Sequence, residues 1–390
     1  MISTWRIPVI LAITTFIHYL DRNALAIALP KIASEQNWSN AEIGLYGEYL
    51  LGAFYISFGL VQIFFSGIAE RWSVKGSLIL SVAGFSISTL LFYPFGHSFG
   101  TIIGLRLLLG AAESLHMPMN SAIVARTFPS HQRGRANSIY IGGILLALMI
   151  GPILLIPLIE SIGWRMSFGM LGLAGLLIAL PLIYWGIPSL PSPKFHVVTL
   201  PYASTTLWLY VAAGAANAFC IFGMLNWLPS FLTQSQGIPF SGLSGPLLAV
   251  FSAGILGVLF WAWIGDWTQN RLLWATVGLI LAGVCVGLTA IPMETPTLLS
   301  LLTIGVFFQS SYNAQEFATL QSFYPAHFAG KVTGLYNGLT VLIGGVGGSF
   351  IPGIIIAWTG SFQKAILSIA GGAGIVAVLL LLIQARLRKV

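Results

Sequence analysis

Charge is what this chain lacks most. Only 7% of its 390 residues are Asp, Glu, Lys or Arg, whereas an average soluble domain carries about 25%. Hydrophobic residues make up 57% of the sequence, and the mean hydropathy is +0.90. This composition excludes an ordinary soluble protein and predicts an integral membrane protein surrounded by the lipid bilayer.

Cysteines and enzyme motifs are also scarce. Cys220 and Cys285 both lie in apolar runs, which indicates neither a disulfide framework nor a metal site. The sequence has no metal-ligand cluster, no nucleophile beside a base, and no G-x-G-x-x-G or P-loop motif. It also has no soluble output domain of the kind a membrane sensor would need. These absences argue against an enzyme and a sensor, and we predict no cofactor.

Apolar runs recur along the whole chain, each long enough to cross a hydrocarbon core of about 30 Å as a helix. The first run has no A-x-A-like cleavage site before Asp21, so we interpret it as a retained helix rather than a signal peptide. We predict an all-α membrane protein with twelve transmembrane helices, at approximately 7–29, 43–68, 77–96, 99–125, 136–160, 166–188, 205–232, 244–265, 272–292, 297–323, 332–358 and 363–386.

The basic residues indicate topology rather than nucleic-acid binding, although the net charge is +7. Lys31, Arg165 and Lys364 lie on one side of the predicted membrane, and Arg22 and Arg106 lie within spans. The other twelve lie at the chain ends or in alternate loops on the opposite side: Arg6, Arg71, Lys75, Arg126, Arg133, Arg135, Lys194, Arg271, Lys331, Arg386, Arg388 and Lys389. The positive-inside rule then places both termini in the cytoplasm, and we expect a bacterial cytoplasmic (inner) membrane.

A repeat with an offset of 196 residues divides the chain into halves. Phe128-Pro-Ser-His-Gln-Arg-Gly-Arg135 is echoed by Tyr324-Pro-Ala-His-Phe-Ala-Gly-Lys331, and Glu70 falls onto Asp266. The segment 187–201 has four prolines and cannot continue a helix. We predict a six-helix half at 1–188, a cytoplasmic linker at 189–203 and a second six-helix half at 204–390, with the substrate site between the halves.

The same plan carries a family resemblance. The loop Gly67-Ile-Ala-Glu-Arg-Trp-Ser-Val-Lys-Gly76 has a shorter copy, Gly265-Asp-Trp-Thr-Gln-Asn-Arg271. With the two-half plan, these loops resemble the major facilitator superfamily. The resemblance implies a gating role for four loop residues, Glu70, Arg71, Asp266 and Arg271. The first loop departs from the family pattern, because Glu70 stands where Asp is usual and one later basic position is missing.

Two longer motifs carry a narrower resemblance. They are His18-Tyr-Leu-Asp-Arg-Asn-Ala-Leu25 and Arg106-Leu-Leu-Leu-Gly-Ala-Ala-Glu-Ser-Leu-His-Met-Pro118. They resemble signatures of the anion:cation symporter family, which includes proton-coupled sugar-acid importers and vesicle carriers of sialic acid and glutamate. The resemblance also implies that Tyr19 and Asn337 contact substrate.

Four ionisable residues lie deep in apolar runs of the first half: Asp21, Arg22, Arg106 and Glu113. A charge facing lipid at the bilayer centre costs a few kcal/mol, so these side chains must face a bundle interior or a wet cavity. Arg106 and Glu113 are seven residues apart, which places them on one helix face about 10 Å apart. The repeat places an uncharged residue at each of the four corresponding positions in the second half. In the order Asp21, Arg22, Arg106 and Glu113, the counterparts are Asn217, Ala218, Leu302 and Gln309.

We expect this four-residue cluster to couple anion and proton binding. A carboxylate beside an arginine stays ionised, whereas one left in an apolar site takes up a proton. Asp21 and Glu113 are therefore the candidate proton carriers, with Arg106 as the partner of one of them. Arg22 is the candidate ligand of an anionic substrate, because guanidinium binds carboxylates bidentately. The family resemblance implies the same roles, and the alternative is a static ion-pair cluster that pins the first span to the fourth.

The remaining candidates have two interpretations each. His18 and His116 either relay protons or bind an anion, or are packed core histidines. Glu48 is a third acid in an outer vestibule or an interfacial residue, and Glu316 is a polar contact of the second half or a hydrogen-bonded acid. Several uncharged residues contact substrate or form interhelical hydrogen bonds: Tyr19, Gln62, Asn217, Asn226, Gln309, Asn337 and Tyr336. The glycine run Gly344–Gly348 favours close helix packing, since no strand precedes it.

The sequence therefore predicts a monomeric secondary transporter that moves a small organic anion, a carboxylate or sugar acid, with protons by alternating access. The proton gradient would be its energy source. An alternative is a carrier or exporter of a larger amphiphilic solute, such as a carboxylate siderophore or a drug. A non-transporting membrane sensor is a distant alternative.

Overall fold

The computed structural model describes residues 4–190, 204–323 and 329–387, without the side chains of residues 130, 131, 321, 329–331, 333 and 334. Within these residues all regular secondary structure is helical, and no strand occurs. The contacts divide the described chain into two compact units. The first comprises residues 4–32 and 53–190, and the second comprises residues 33–52, 204–323 and 329–387.

Sixteen α-helices occur among the described residues. In chain order they are α1 (Arg6–Glu35), α2 (Asn40–Trp72), α3 (Val74–Leu90), α4 (Phe92–Phe95), α5 (Phe99–Glu113), α6 (His116–Thr127), α7 (Ser130–Ile162), α8 (Trp164–Ala174), α9 (Leu180–Gly186), α10 (Thr205–Gln234), α11 (Ser244–Thr268), α12 (Arg271–Leu288), α13 (Thr295–Ser322), α14 (Ala329–Thr340), α15 (Val346–Thr359) and α16 (Phe362–Leu387). The π-helical turns Gly175–Ala179 and Val341–Gly345 connect α8 to α9 and α14 to α15.

Nine helical segments of the described chain are long and apolar enough to cross a membrane, judged by length and composition. The integral, multi-pass character expected from composition therefore holds. The count of twelve spans and the cytoplasmic position of both termini remain predictions. Most of the proposed linker, residues 191–203, and the repeat segment 324–328 lie outside the described residues.

The loops predicted from the sequence are shorter in the structure. The sequence predicts a loop at residue 70, but α2 continues to Trp72 and only Ser73 separates it from α3. The corresponding loop of the second half, predicted at residues 265–271, is also shorter, because α11 includes Asp266 and ends at Thr268. Helix α2 has 33 residues, or about 50 Å at 1.5 Å per residue, and the hydrocarbon core is about 30 Å thick. The helices therefore extend beyond the apolar runs that revealed them.

Helix crossings in the first unit rely on glycines. A Cβ on Gly110 of α5 would overlap the Phe54 carbonyl oxygen and Ser57 Oγ of α2, and one on Gly143 of α7 would overlap the Ala12 carbonyl oxygen of α1. These positions let two backbones approach where a larger side chain would force them apart.

The second unit is organised around α10 and α13. Helix α10 packs on α15 and α16, and α13 packs on α11 and α12. The predicted close packing of the glycine run is confirmed, because a Cβ on Gly344 or Gly348 would overlap the backbone of α10. Asn226 of α10 donates a hydrogen bond to Ser349 Oγ at 3.0 Å, which is the interhelical bond expected for that residue.

Candidate functional site

An aromatic enclosure surrounds the guanidinium of Arg22 in the first unit. Its Cζ lies 5.3 Å from the ring centroid of Tyr19 on its own helix. Three rings of α2 are as close, Phe54 at 5.1 Å, Tyr55 at 5.3 Å and Phe58 at 4.9 Å. Arg22 is 6% exposed. Ring faces attract cations, so these rings replace part of the hydration that a buried guanidinium loses.

Phe54 also contacts the second buried arginine. The Arg106 Cζ lies 4.8 Å from its centroid, and both Phe54 and Arg106 are buried. The Gly110 crossing brings α2 onto α5 at this level and so positions the Phe54 ring. The structure thus places both predicted arginines against one aromatic ring.

Both predicted acids are buried in the same unit. Asp21 is 2% exposed and lies beside Thr89 of α3, and Glu113 is fully buried at the end of α5. Among the described residues, no hydrogen bond of ordinary geometry reaches either carboxyl group. Glu113 Oε2 lies 3.3 Å from His18 Nε2. A buried carboxylate that lacks donors is costly when ionised, so these acids occupy positions where a change of protonation state has a large energetic effect.

The helix is interrupted next to Glu113, where the sequence predicts one continuous span. Helix α5 ends at Glu113 and α6 begins at His116. Pro118 has no N–H to donate to the Ser114 carbonyl four residues earlier. Gln62 Nε2 donates to that oxygen instead, through a long bond of 3.5 Å. One contact of Gln62 is therefore structural, at the helix interruption next to Glu113.

The polar candidates of the second unit bind one another. Gln309 Nε2 donates to Asn217 Oδ1 at 2.5 Å, and Asn217 Nδ2 donates to Asn313 Oδ1 at 2.8 Å. Tyr336 donates to Glu316 Oε1 at 2.7 Å. These contacts agree with the interhelical hydrogen bonds expected by default for Asn217, Gln309 and Tyr336, and they make Glu316 a hydrogen-bonded acid.

Glu48 lies in the second unit. It is 4% exposed and packs over Gly353 of α15, where a Cβ would overlap the Glu48 side chain. Helix α15 therefore packs against the face of α2 that carries Glu48, and both interpretations of this residue stay predictions. Asn337 is half-buried on α14 and Tyr19 half-buried on α1.

Three of the four gating candidates, Glu70, Asp266 and Arg271, form ion pairs within their own units. Arg126 at the end of α6 contacts Glu70 at 2.5 Å, and Arg271 contacts Asp266 at 2.6 Å. The sequence does not single out Arg126 as a partner, whereas Arg71 lies exposed in the last turn of α2. Carboxylate and guanidinium groups thus hold the ends of α2, α6 and α11.

The residues that sequence reasoning missed are aromatic. Phe54, Tyr55 and Phe58 of α2 face Arg22, but the chain has 25 Phe and 12 Tyr, so three of them stand out little from packing residues. The available signal was their spacing of one, three and four positions on a helix that also carries Gln62.

Comparison with known proteins identifies the family of this chain. The sequence profile of the Major Facilitator Superfamily matches residues 11–349. A probable galactarate/D-glucarate transporter of Bacillus subtilis (strain 168) is 25% identical, over 95% of this chain and 89% of its own. A D-galactonate transporter of Escherichia coli O6:H1 is 25% identical over 98% and 96%, and a hexuronate transporter of B. subtilis is 25% identical over 97% and 94%.

Solved structures show the same fold. The crystal structure of a bacterial homolog of the human lysosomal transporter Spinster, inward-facing and occupied, superimposes with a TM-score of 0.83 at 17% identity, covering 99% of this chain and 98% of that one. A crystal structure of the nucleoside transporter NupG, determined on a point mutant, gives a TM-score of 0.73 at 12% identity, covering 97% and 99%. The profile match extends over most of the sequence and the fold agrees with it, so this chain belongs to the major facilitator superfamily and is a membrane transporter rather than an enzyme.

Proposed function

We propose that this protein is a secondary active transporter that moves a small organic anion, a carboxylate or sugar acid, together with protons by alternating access. The observation that carries the proposal is the first-unit cluster, in which Arg22 and Arg106 contact the Phe54 ring and the carboxyl groups of Asp21 and Glu113 are buried nearby. The proton gradient would drive the cycle without a bound cofactor, in a bacterial cytoplasmic membrane and as a monomer.

The charge of this cluster links the two ligands. With both acids ionised, two carboxylates balance two guanidinium groups. Protonation of one acid gives this buried cluster a net charge of +1, and binding of a monocarboxylate anion returns the net charge to zero. Protons therefore favour anion binding, and by linkage the anion favours protonation to the same extent. Coupling of this sign produces symport, in which acid on one side promotes uptake from that side.

The relatives support a sugar acid as substrate. Three of them are named for galactarate and D-glucarate, D-galactonate and hexuronate. These solutes combine carboxylate groups with several hydroxyls. Arg22 would bind the carboxylate, and polar groups such as Tyr19 and Gln62 would receive the hydroxyls.

Uptake into proteoliposomes tests the substrate class. Purified protein is reconstituted and presented with labelled D-galactonate, D-glucarate or a hexuronate, with acid outside. We expect at least one of these acids to accumulate, and a protonophore to abolish the accumulation. The alditol of matching length is the control and should not accumulate. If no carboxylate showed uptake that depends on the pH gradient, the proposal would be refuted. If only bulky polycarboxylates raised the unfolding temperature of the protein, a carrier of larger amphiphilic solutes would be favoured.

Substitution of the two acids tests the coupling. Asp21→Asn and Glu113→Gln cannot release a proton, so both should lose proton-driven accumulation while some equal-pH counterflow persists. Counterflow measures substrate exchange without net proton movement and therefore separates coupling from binding. Normal accumulation in both variants would show that other residues carry the protons.

A further inference from the structure

Two histidine rings stack on each other beside Glu113. The His18 and His116 centroids lie 4.5 Å apart with an angle of 13° between the rings. His18 belongs to α1, and His116 is the first residue of α6, immediately after the helix interruption. Both side chains are fully buried, and the Phe85 ring of α3 meets each of them edge-on, at 5.6 and 6.0 Å. The pair is thus enclosed on several sides and shielded from water.

The two rings have different polar partners. His18 Nε2 lies 3.3 Å from Glu113 Oε2. His116 Nε2 lies 3.3 Å from Thr15 Oγ1, which also accepts a hydrogen bond from Asn120 Nδ2 at 3.1 Å. One ring therefore meets an acid and the other meets neutral groups. Two imidazolium rings at stacking distance would repel each other strongly in this enclosure, so the pair carries at most one charge, and Glu113 places that charge on His18.

Other charged groups surround the pair. Asp21 and Arg22 lie on α1 with His18, and Arg106 lies on α5 with Glu113. Helix α3 contributes Phe85 and Thr89, neither of which is charged. Burial and the nearby Arg22 disfavour a positive charge on His18, whereas Glu113 favours it. His18 is therefore suited to carry a charge when Glu113 is ionised.

We propose that His18 and Glu113 share the transported proton and that the stacked, neutral His116 positions His18 for this exchange. The step moves one proton from Glu113 Oε2 to His18 Nε2, which converts a carboxylic acid and a neutral imidazole into a carboxylate and an imidazolium. The net charge of the pair is zero before and after. Nothing is oxidised or reduced, and the proton comes from and returns to the aqueous phases. This inference rests on proton coupling as proposed above.

The negative charge of Glu113 could then be neutralised in two ways, by a proton on the carboxylate or by an imidazolium on His18. A lone carboxylate in this enclosure has no hydrogen-bond donor among the described residues, whereas a carboxylate paired with an imidazolium is balanced. The proton can thus leave Glu113 before it reaches water. The second half has no such pair, because the repeat places Gly214 at the His18 position and Tyr312 at the His116 position.

Histidine variants of the full chain test the proposal in proteoliposomes. His18→Asn keeps a polar side chain that cannot be protonated. We expect its proton-driven accumulation to fall about tenfold or more, while equal-pH counterflow stays within about threefold of wild type and loses its dependence on acid pH. His97→Asn removes an exposed histidine between α4 and α5 and is the matched control, with no expected change.

Variants of His116 separate positioning from proton transfer. His116→Phe retains a ring for stacking and should keep the wild-type pH profile, whereas His116→Ala loses the stack and should shift the profile toward that of His18→Asn. His18→Asn with normal accumulation and a normal pH profile would overturn the proposal and leave His18 as a packed core residue. A strong defect in His116→Phe would overturn the assigned positioning role.

A measurement on the wild-type chain covers the case in which His18→Asn fails to fold. Infrared difference spectra recorded across a pH titration should show the Glu113 carboxylic-acid band and an imidazolium band disappearing together as the shared proton leaves the pair at higher pH, and isotope-labelled histidine should shift the second band. A carboxyl change without a histidine change would refute proton sharing. Failure of the wild type to couple sugar-acid uptake to protons would instead refute the proposed function, and the spectra would still decide on the pair.

Discussion

Aromatic side chains replace part of the lost hydration of the buried arginines. Arg22 lies within 5.3 Å of four ring centroids, and Arg106 within 4.8 Å of one of them. Cation–π contacts strengthen when the partners are desolvated, to about 2 kcal/mol or more. They neutralise no charge, so both guanidinium groups keep their attraction for an anionic ligand.

Phe54 should therefore affect anion affinity through two contacts. Phe54→Leu removes an aromatic face from both Arg22 and Arg106, and we expect binding of the transported anion to weaken by about 3- to 30-fold. Phe58→Leu removes one aromatic face from Arg22 and should have a smaller effect. Isothermal titration or thermal-shift titration in detergent measures both.

The control for this series lies on the same helix. Phe64 of α2 is 65% exposed, so Phe64→Leu should bind like wild type. Equal affinities for Phe54→Leu and Phe64→Leu would show that the ring fills space only and does not organise the arginines.

Individual charges were easier to find from sequence than their surroundings. Asp21, Arg22, Arg106 and Glu113 were evident because a charge within an apolar run is rare and costly. The contact of His18 with both Glu113 and His116 was not evident, because it depends on how α1 packs against α5 and α6. Residue spacing within one helix contains no information about that packing.

Helix positions followed closely from apolar runs, whereas helix ends and interruptions did not. The runs located each helical segment to within several residues. The continuation of α2 to Trp72 was missed, because polar residues can be helical outside the hydrocarbon core. The interruption after Glu113 had a signal in Pro118. Because proline has no N–H, the Ser114 carbonyl accepts a hydrogen bond from Gln62 instead.

The crossing of α2 and α5 depends on one glycine. Gly110→Ala would place a methyl group on the Phe54 carbonyl and the Ser57 hydroxyl, and overpacking of this kind costs about 1–3 kcal/mol. We expect a lower unfolding temperature in detergent and weaker anion binding, because the Phe54 ring would move away from the arginines.

Gly104 on the same helix provides the comparison. A Cβ there meets nothing within 4 Å, so Gly104→Ala should leave the unfolding temperature unchanged or raise it, since Ala is the better helix former. If Gly110→Ala unfolds at the same temperature as Gly104→Ala, the α2–α5 crossing is looser than the structure indicates.

The two repeated halves use the same helical positions for different chemistry. The first half has Asp21 and Glu113, and the second has Asn217 and Gln309, which bind each other. At Gly214, the counterpart of His18, a Cβ would overlap the Tyr336 hydroxyl, and that hydroxyl also bonds to Tyr312 at 2.9 Å. A group of hydrogen-bonded amides, and a group of phenols bonded to Glu316, thus lie in the half whose repeat partner carries the charged cluster.

Topology is a prediction for the whole molecule. With Cys220 and Cys285 replaced, Asn270→Cys between α11 and α12 should react with a membrane-impermeant maleimide only from the cytoplasmic side, and Ser235→Cys at the end of α10 only from the opposite side. Both positions are exposed. Right-side-out and inside-out vesicles distinguish the sides, and labelling of both positions from one side would refute the span count.

The charge balance within the first unit has an electrical consequence. Arg22, Arg106, Asp21 and Glu113 sum to zero when both acids are ionised, so a carrier in that state has no net charge at its cluster for the membrane voltage to act on. Voltage would then influence only steps in which the positive charge of the bound protons differs from the negative charge of the bound anion. The sign of the current recorded on solid-supported membranes during substrate pulses would thus show whether protons carry more charge than the anion in each cycle.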